Sequence, residues 1–357
     1  MSRFLPFVDW LSIKQRHALD SLPIVADGRI IATNSEETEI EWDSLKGKHV
    51  KGSHETSLRL RCDGTEVTLS GNVGRFGRPD NLFNLGWDQT IEKANRILAA
   101  HGLPPFTPGE QVLKMSPSEY DRKNQLFLAY TGATVSNIHL TANLSTGSLD
   151  DAQRAIDWLD GQSMSHIKKG RVGSSTAQFG TKSGRKLLKF YIKSMEMLVH
   201  AKNAAERQVI KESLVYRFAS TLGVVRAELE CHRLMLRDHG LRYLGDITME
   251  KLTHLFEQNV EILDRVKVDA SSLDIAALPA PVRLTASAYL RGENLKSMLS
   301  QATWYRHAKI LRGYGLDIAE PHNVKAFPIK LSNRPVELQQ VHAPDWYWDE
   351  SAERLSA

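Results

Sequence analysis

The sequence predicts an α+β fold, in which an antiparallel sheet carries helices on one face and a small α-helical unit of helix-turn-helix character follows it. Three observations carry that expectation. Strand-like segments alternate apolar and polar residues, short turns or amphipathic helices join them, and a helical pattern takes over beyond residue 283.

SLRLRC (57–62) and TEVTLSGN (65–72) alternate around Asp63-Gly64, residues that both tolerate positive φ, so the pair reads as a hairpin. A helix is expected over about 89–102, starting near Asp88 and stopped by Gly102 and the prolines at 104 and 105. VSNIHLTAN (135–143) is the next strand. After Ser148, SLDDAQRAIDWLDG sets Ala152, Ala155, Ile156 and Leu159 at helical spacing. SSTAQFG (174–180) and RKLLKFYIK (185–193) flank a Thr-Lys-Ser-Gly connection and form a second hairpin, followed by a helix over about 195–221. VVRAELECH (224–232) alternates again. Residues 244–268 read as one helix capped near Asp246 or Thr248, with Leu252, Leu255, Val260 and Leu263 on its apolar side.

Small residues and two prolines make 269–283 a linker. Residues 284–318 read as two short helices around Gly292 and a third that begins near Ser300 and ends at Gly313 or Gly315. The expected organisation is an α+β domain over 1–268, the linker 269–283, a helical unit of helix-turn-helix character over 284–325 and a tail over 326–357. The clustered aromatics of PDWYWDESAERLSA offer the tail a way to dock on the body.

With 357 residues the chain exceeds the usual size of one domain, and 41% hydrophobic with 25% charged residues is the composition of a soluble globular protein. The N-terminus is neither a secretory signal nor a membrane span, and no long apolar run follows it. Cys62 and Cys231 are too few for a disulfide scaffold or a cysteine zinc site, which points to a reducing cytoplasm.

Alternation places Ile138, Leu140 and Ala142 on one face of their strand, and Asn137, His139, Thr141 and Asn143 on the other. In the same way Leu188, Phe190 and Ile192 oppose Lys189, Tyr191 and Lys193. Val225, Ala227, Leu229 and Cys231 oppose Arg226, Glu228, Glu230 and His232. An ordinary sheet with one solvated face gives the same alternation. The residue types point further, because a set containing His, Tyr, Arg, Glu and Asn can bind a metal, attack and stabilise charge. Between Asp160 and Glu196 there is no acidic residue, while Lys168, Lys169, Arg171, Lys182, Arg185, Lys186, Lys189 and Lys193 all lie there. Such an interval fits a polyanion or a solvated basic loop.

STAQFGTKSGRKLLKFYIKSMEM (174–197) resembles a block of rolling-circle replication initiators, carried by Phe179, Gly180, Thr181, Lys182, Ser183, Tyr191, Lys193 and Glu196. The resemblance to filamentous-phage replication initiators is wider. It takes in LPFVDWL (5–11), GNVGRFGRPDNLF (71–83), VSNIHLT (135–141), LVYRFASTLGVVRAELECHRLMLRDHGL (214–241) and TWYRHAKILRGYGLDI (303–318). It implies a phage protein of the bacterial cytoplasm that nicks one origin strand through a tyrosine, stays on the new 5′ phosphate and later rejoins the displaced strand. Single-stranded and duplex origin DNA would be its partners, with the host helicase and polymerase.

Tyr191 falls on the family's nucleophile, with Lys193 beside it, and Arg226 and Glu228 on its Arg-x-Glu pair. His139 stands where relatives carry an aspartate, and the His-x-His of the wider class is absent. His139 and Glu228 are the expected ligands of a divalent Mg²⁺ or Mn²⁺, with Asn143, Thr141 or Glu230 as possible additions. Lys189 and Lys193 are expected to favour the phenolate, and Arg226 either clamps the scissile phosphate or pairs with a carboxylate. Expected DNA contacts are Lys168, Lys169, Arg171, Lys182, Arg185, Lys186 and Lys189, together with Arg306, Lys309 and Arg312. Gln301, Thr303 and His307 accompany the last three near a helix that either enters a major groove or completes a structural bundle. Two other functions stay open: a non-catalytic DNA-binding regulator, and a hydrolase using His139, Glu228 and metal-activated water.

Overall fold

The computed structural model describes residues 3–18, 21–33, 40–115, 126–162, 164, 167, 170, 173–266, 278–290, 293–314, 316–319, 336 and 338–348. The strands are β1 (Phe7–Arg16), β2 (Arg29–Thr33), β3 (Ile40–Leu45), β4 (Lys48–Lys51), β5 (Ser57–Cys62), β6 (Glu66–Gly71), β7 (Gln111–Met115), β8 (Leu126–Tyr130), β9 (Thr134–Ser145), β10 (Thr176–Gly180), β11 (Lys186–Ile192), β12 (Val224–His232) and β13 (Gln339–Gln340). The helices are α1 (Trp87–Ala99), α2 (Leu149–Asp160), α3 (Lys193–Val199), α4 (Ala204–Glu212), α5 (Leu214–Thr221), α6 (Arg233–Asp238), α7 (Met249–Asn259), α8 (Leu263–Val266), α9 (Ala280–Leu290), α10 (Leu295–Met298) and α11 (Gln301–Gly313).

Among the described residues nine strands form one sheet in the order β10-β11-β12-β9-β1-β6-β5-β4, with β13 added beside the end of β9, and every pairing is antiparallel. The β2–β3 and β7–β8 ribbons stand apart from it. The apolar residues on one face of β9, β11 and β12, among them Ile138, Leu140, Ala142, Leu188, Phe190, Ile192, Val225, Ala227 and Leu229, are buried in one core with Ala155 and Leu159 of α2, Leu255 and Phe256 of α7 and Leu98 of α1. A one-residue slip of β11 would carry Leu188, Phe190 and Ile192 out of that core, losing roughly 1.5–3 kcal/mol for each. Packing on one face therefore fixes which side chains stand on the other.

That other face is not solvated throughout. Phe7, Leu82, Phe83, Ala219, Val224 and Tyr347 form a second cluster. By strand alternation Phe7 and Val224 lie on the polar side, so this cluster roofs one end of it.

Helix boundaries differ from expectation where side-chain caps intervene. The single helix expected over 195–221 is three, because Asn203 accepts from the Glu206 amide and starts α4, and Ser213 accepts from the Tyr216 amide and starts α5. The helix expected over 244–268 becomes a 3₁₀ turn at Leu244–Asp246, then α7 capped by Thr248, then α8. Of the expected linker, 269–277 lies outside the described residues, and α9 begins at Ala280 with Pro281 in its first turn, where proline is well tolerated. Helices α9, α10 and α11 enclose a core of their own, including Val282, Ala286, Leu295, Trp304 and Leu311.

Described parts of the expected tail pack on the body. Within 326–357, β13 pairs with β9, Val336 and Leu338 are buried in the main core, and Tyr347 is 1% exposed. The Tyr347 hydroxyl donates to Asp80 Oδ1 at 2.6 Å and accepts from the Phe83 amide at 3.0 Å. Among the described residues no helix is long and apolar enough to cross a membrane.

Candidate active site

Strand register assembles the site. Arg226 of β12 lies between Tyr191 of β11 and Asn143 of β9, Glu228 between Lys189 and Thr141, and Glu230 beside His139. Directly opposed residues have Cβ atoms about 4.5–5.5 Å apart, so three cross-strand rows bring these groups into contact.

Strand β1 adds two residues that sequence patterning missed. Its register on β9 passes from Val8–Leu140 to Trp10–His139, leaving Asp9 as the extra residue of a bulge. The Trp10 ring stacks on His139 at 5.9 Å between centroids. The Asp9 carboxylate accepts from Asn72 at 2.8 Å and Asn84 at 3.1 Å, and lies 3.6 Å from the Arg226 guanidinium. Asn81 also donates to it, at 3.3 Å. Close packing holds this segment in place, since a Cβ on Gly74 would come within 1.5 Å of Asn84 Oδ1. The available signal was Asp9 itself, a charge inside an apolar N-terminal run.

Arg226 is 0% exposed. Its Nε donates to Asn143 Oδ1 at 3.0 Å, and one terminal nitrogen, Nη2, donates to the carbonyls of Asn81 at 2.6 Å and of Leu82, while Nη1 faces Asp9 without a hydrogen bond. Of the two roles open to it, the geometry shows pairing with a carboxylate; the guanidinium is enclosed rather than presented to a phosphate.

His139 Nδ1 lies 3.2 Å from Glu228 Oε1, and His139 Nε2 lies 3.7 Å from Glu230 Oε2. Among the described residues these three side chains are the one group of three whose ligand atoms could close on a metal ion, all within 4.8 Å of one another. One imidazole and two carboxylates make an oxygen-rich set suited to Mg²⁺ or Mn²⁺, with positions left for water or phosphate oxygens. The hydroxyl of Thr141, on the row of Glu228, is buried without a hydrogen-bond partner, as a polar atom awaiting a ligand would be. Asn143, the other possible addition, is held by Arg226 and the Leu82 carbonyl.

The Tyr191 hydroxyl donates to Glu228 Oε2 at 3.1 Å. Burial drives its pKa well above the ordinary tyrosine value; Arg226 opposes this, and Glu228, Glu196 and Asp9 add to it. The lysines do not supply the expected help. Lys189 reaches between two carboxylates, 3.3 Å from Glu228 Oε1 and in contact with Glu230. Lys193 is 2% exposed and donates to Glu196 at 2.7 Å and Asn81 at 2.9 Å. Burial also opposes ionisation of Glu228, but the hydrogen bond from His139 and the charges of Lys189, His139 and Arg226 hold its carboxyl far below the usual range.

The expected basic strip is divided. Lys168, Lys169 and Arg171 lie outside the described residues. Lys182 is exposed in the β10–β11 turn, whereas Arg185 pairs with Asp238, Lys186 donates to Asn259, and Lys189 is held as above. An interval without acids in sequence thus meets acids from β12 and α6 in space. On α11, Arg306 and Lys309 are exposed and Arg312 pairs with Asp317 at 3.1 Å. His307 is no groove contact: it is buried, and its Nδ1 meets the Thr285 hydroxyl at 2.8 Å.

Family models match both parts of this architecture: the N-terminal region of a phage replication-associated protein over residues 7–250, and the C-terminal region of the same protein over 274–352. The chain belongs to this replication-associated protein family of rolling-circle replication initiators. The replication-associated protein of Escherichia phage If1 is 26% identical over 324 residues, spanning 82% of this chain and 96% of that protein. That of Enterobacteria phage I2-2 is 22% identical over 327 residues, spanning 87% of this chain and 88% of that protein. A rolling-circle replication initiator from Geobacillus stearothermophilus, of solved structure, aligns with 80% of this chain and 84% of its own at 12% identity and a TM-score of 0.27. In this member of the family, the His139, Glu228 and Glu230 side chains form a candidate divalent-metal site beside Tyr191.

Proposed function

We propose that this rolling-circle initiator is a metal-dependent DNA endonuclease and strand transferase that opens one origin strand through Tyr191. The supporting observation is that Glu228 serves two neighbours: it accepts the Tyr191 hydroxyl and belongs to the His139–Glu228–Glu230 cluster. Nucleophile and metal-binding group are thereby fixed on adjacent strands by one carboxylate.

A divalent ion held by His139, Glu228 and Glu230 would withdraw charge from the scissile phosphate. Glu228 holds the phenolic hydrogen and orients the Tyr191 oxygen; Arg226 supplies the positive charge that favours the phenolate, against the burial that disfavours it. In the transfer the tyrosine oxygen bonds to phosphorus, the bond from phosphorus to the 3′ oxygen breaks, and that oxygen takes up a proton. The phosphotyrosine retains the energy of the broken diester, so the reverse transfer closes a circle without ATP. Tyr191→Phe is expected to abolish covalent capture of an origin oligonucleotide while leaving binding intact; a persisting adduct contradicts the assignment.

The raised pKa of Tyr191 favours a second reading, hydrolytic cleavage, in which a divalent ion held by His139, Glu228 and Glu230 would activate water. That activity would release a free 5′ phosphate and survive Tyr191→Phe. A non-catalytic regulator would show neither product. For the C-terminal unit, exposed Arg306 and Lys309 on α11 support contact with origin DNA.

A further inference from the structure

The helical unit carries a site that strand cleavage does not use. Residues 278–319 hold six basic residues and two acidic ones, an excess equal to the net charge of +4 on the whole chain. A cavity of about 400 Å³ opens between α10 and α11, lined by Lys296, Leu299, Gln301, Trp304 and Tyr305. Its volume falls in the range of small-ligand sites, about 300–1,000 Å³. Lys296 Nζ stands 5.6 Å from the centre of the Trp304 ring, and the Trp304 and Tyr305 rings meet edge to face at 5.1 Å. Trp304 is 9% exposed and belongs to the unit's core, whereas Tyr305 is 61% exposed. Tyr305 thus leaves a ring face open at the mouth of the cavity, and its neighbours define what fits.

We propose that this cavity receives one unpaired nucleobase of single-stranded DNA, stacked on Tyr305, with the adjoining phosphate on Lys296. Each part of the nucleotide meets its counterpart. The flat ring offers a stacking face, Gln301 carries an amide that both donates and accepts, and Lys296 supplies the cation. Base–aromatic stacking needs a base face that duplex DNA keeps covered, so the chemistry selects single strands. The rest of α11 continues the path. Gln301, Tyr305 and Lys309 are all exposed, and their spacing of four residues lines them along one face, so the phosphate beyond the bound base would follow to Lys309. The site deepens the proposed function, resting on DNA being the substrate, and assigns the helical unit the displaced single strand rather than a major groove.

The test measures binding of a fluorescent oligothymidylate by the full-length protein. Tyr305→Ala is expected to weaken binding about ten-fold, within the roughly 1–3 kcal/mol that one stacked base contributes, while Tyr305→Phe keeps it. An oligonucleotide of equal length with abasic sites should bind the unaltered protein about as weakly as oligothymidylate binds Tyr305→Ala, and Lys296→Ala should reduce the salt dependence. Duplex affinity should hold steady in every variant. Unchanged oligothymidylate binding by Tyr305→Ala overturns the proposal, as does equal affinity for abasic and normal strands, or an equal loss on duplex DNA. Covalent capture through Tyr191 is scored separately: its absence from the unaltered protein defeats the nickase reading and leaves the stacking measurement interpretable.

Discussion

Lys189 is the residue whose role changes most when sequence becomes structure. Read along the chain it belongs to a basic interval; in space its ammonium lies between Glu228 and Glu230, the two carboxylates of the candidate metal site. A like charge about 4 Å away opposes a bound cation by roughly 1–4 kcal/mol per unit charge, depending on how far solvent screens it. Lys189→Gln is therefore expected to tighten Mn²⁺ binding about ten-fold or more in a calorimetric titration, and unchanged or weaker binding would contradict this placement. Glu228 makes a pH prediction. Its folded pKa lies below that of the unfolded chain, so the stability its charge contributes is present above about pH 4.3 and is lost as pH falls through the acid range. The stability gap between the unaltered protein and Glu228→Gln, followed by denaturant titration, should narrow as the medium is acidified below that value. A gap constant with pH would place the carboxylate outside this network.

At the scale of elements, legibility followed regularity. The faces of β9, β11 and β12 could be read because each strand has an unbroken apolar side, and Tyr191, Arg226, Glu228 and His139 came together as strand alternation requires. The β1 bulge was hidden because an extra residue breaks the period that reveals strands, and so Asp9 and Trp10 went unassigned. The short ribbons and β4 gave no pattern long enough to separate from loop. Asp9→Ala would leave Arg226 buried without its nearest carboxylate, a change that costs roughly 3–5 kcal/mol. Urea unfolding should show a loss of that order. A loss under about 1 kcal/mol would mean that the Asn81 and Leu82 carbonyls hold Arg226 unaided.

Across the whole molecule the C-terminal segment returns to the catalytic body after the helical unit. Val336, Leu338 and Tyr347 pack there, and Tyr347 fastens the 80–83 backbone that lies over Arg226. Tyr347→Ala is expected to destabilise the protein by about 3–5 kcal/mol, as for other buried aromatics, and to lower covalent capture as that backbone loosens. Full capture in the folded variant would show that the roof is not needed. The same topology means that removing everything beyond residue 283 strips core residues from the catalytic body along with the helical unit, so point variants such as Tyr305→Ala are the cleaner probe. The central claim rests on the bond between one tyrosine and the cut strand. Mass spectrometry of the peptide left on a nicked origin oligonucleotide should place the nucleotide on Tyr191; a free 5′ phosphate with no adduct, or an adduct on another tyrosine, would contradict it.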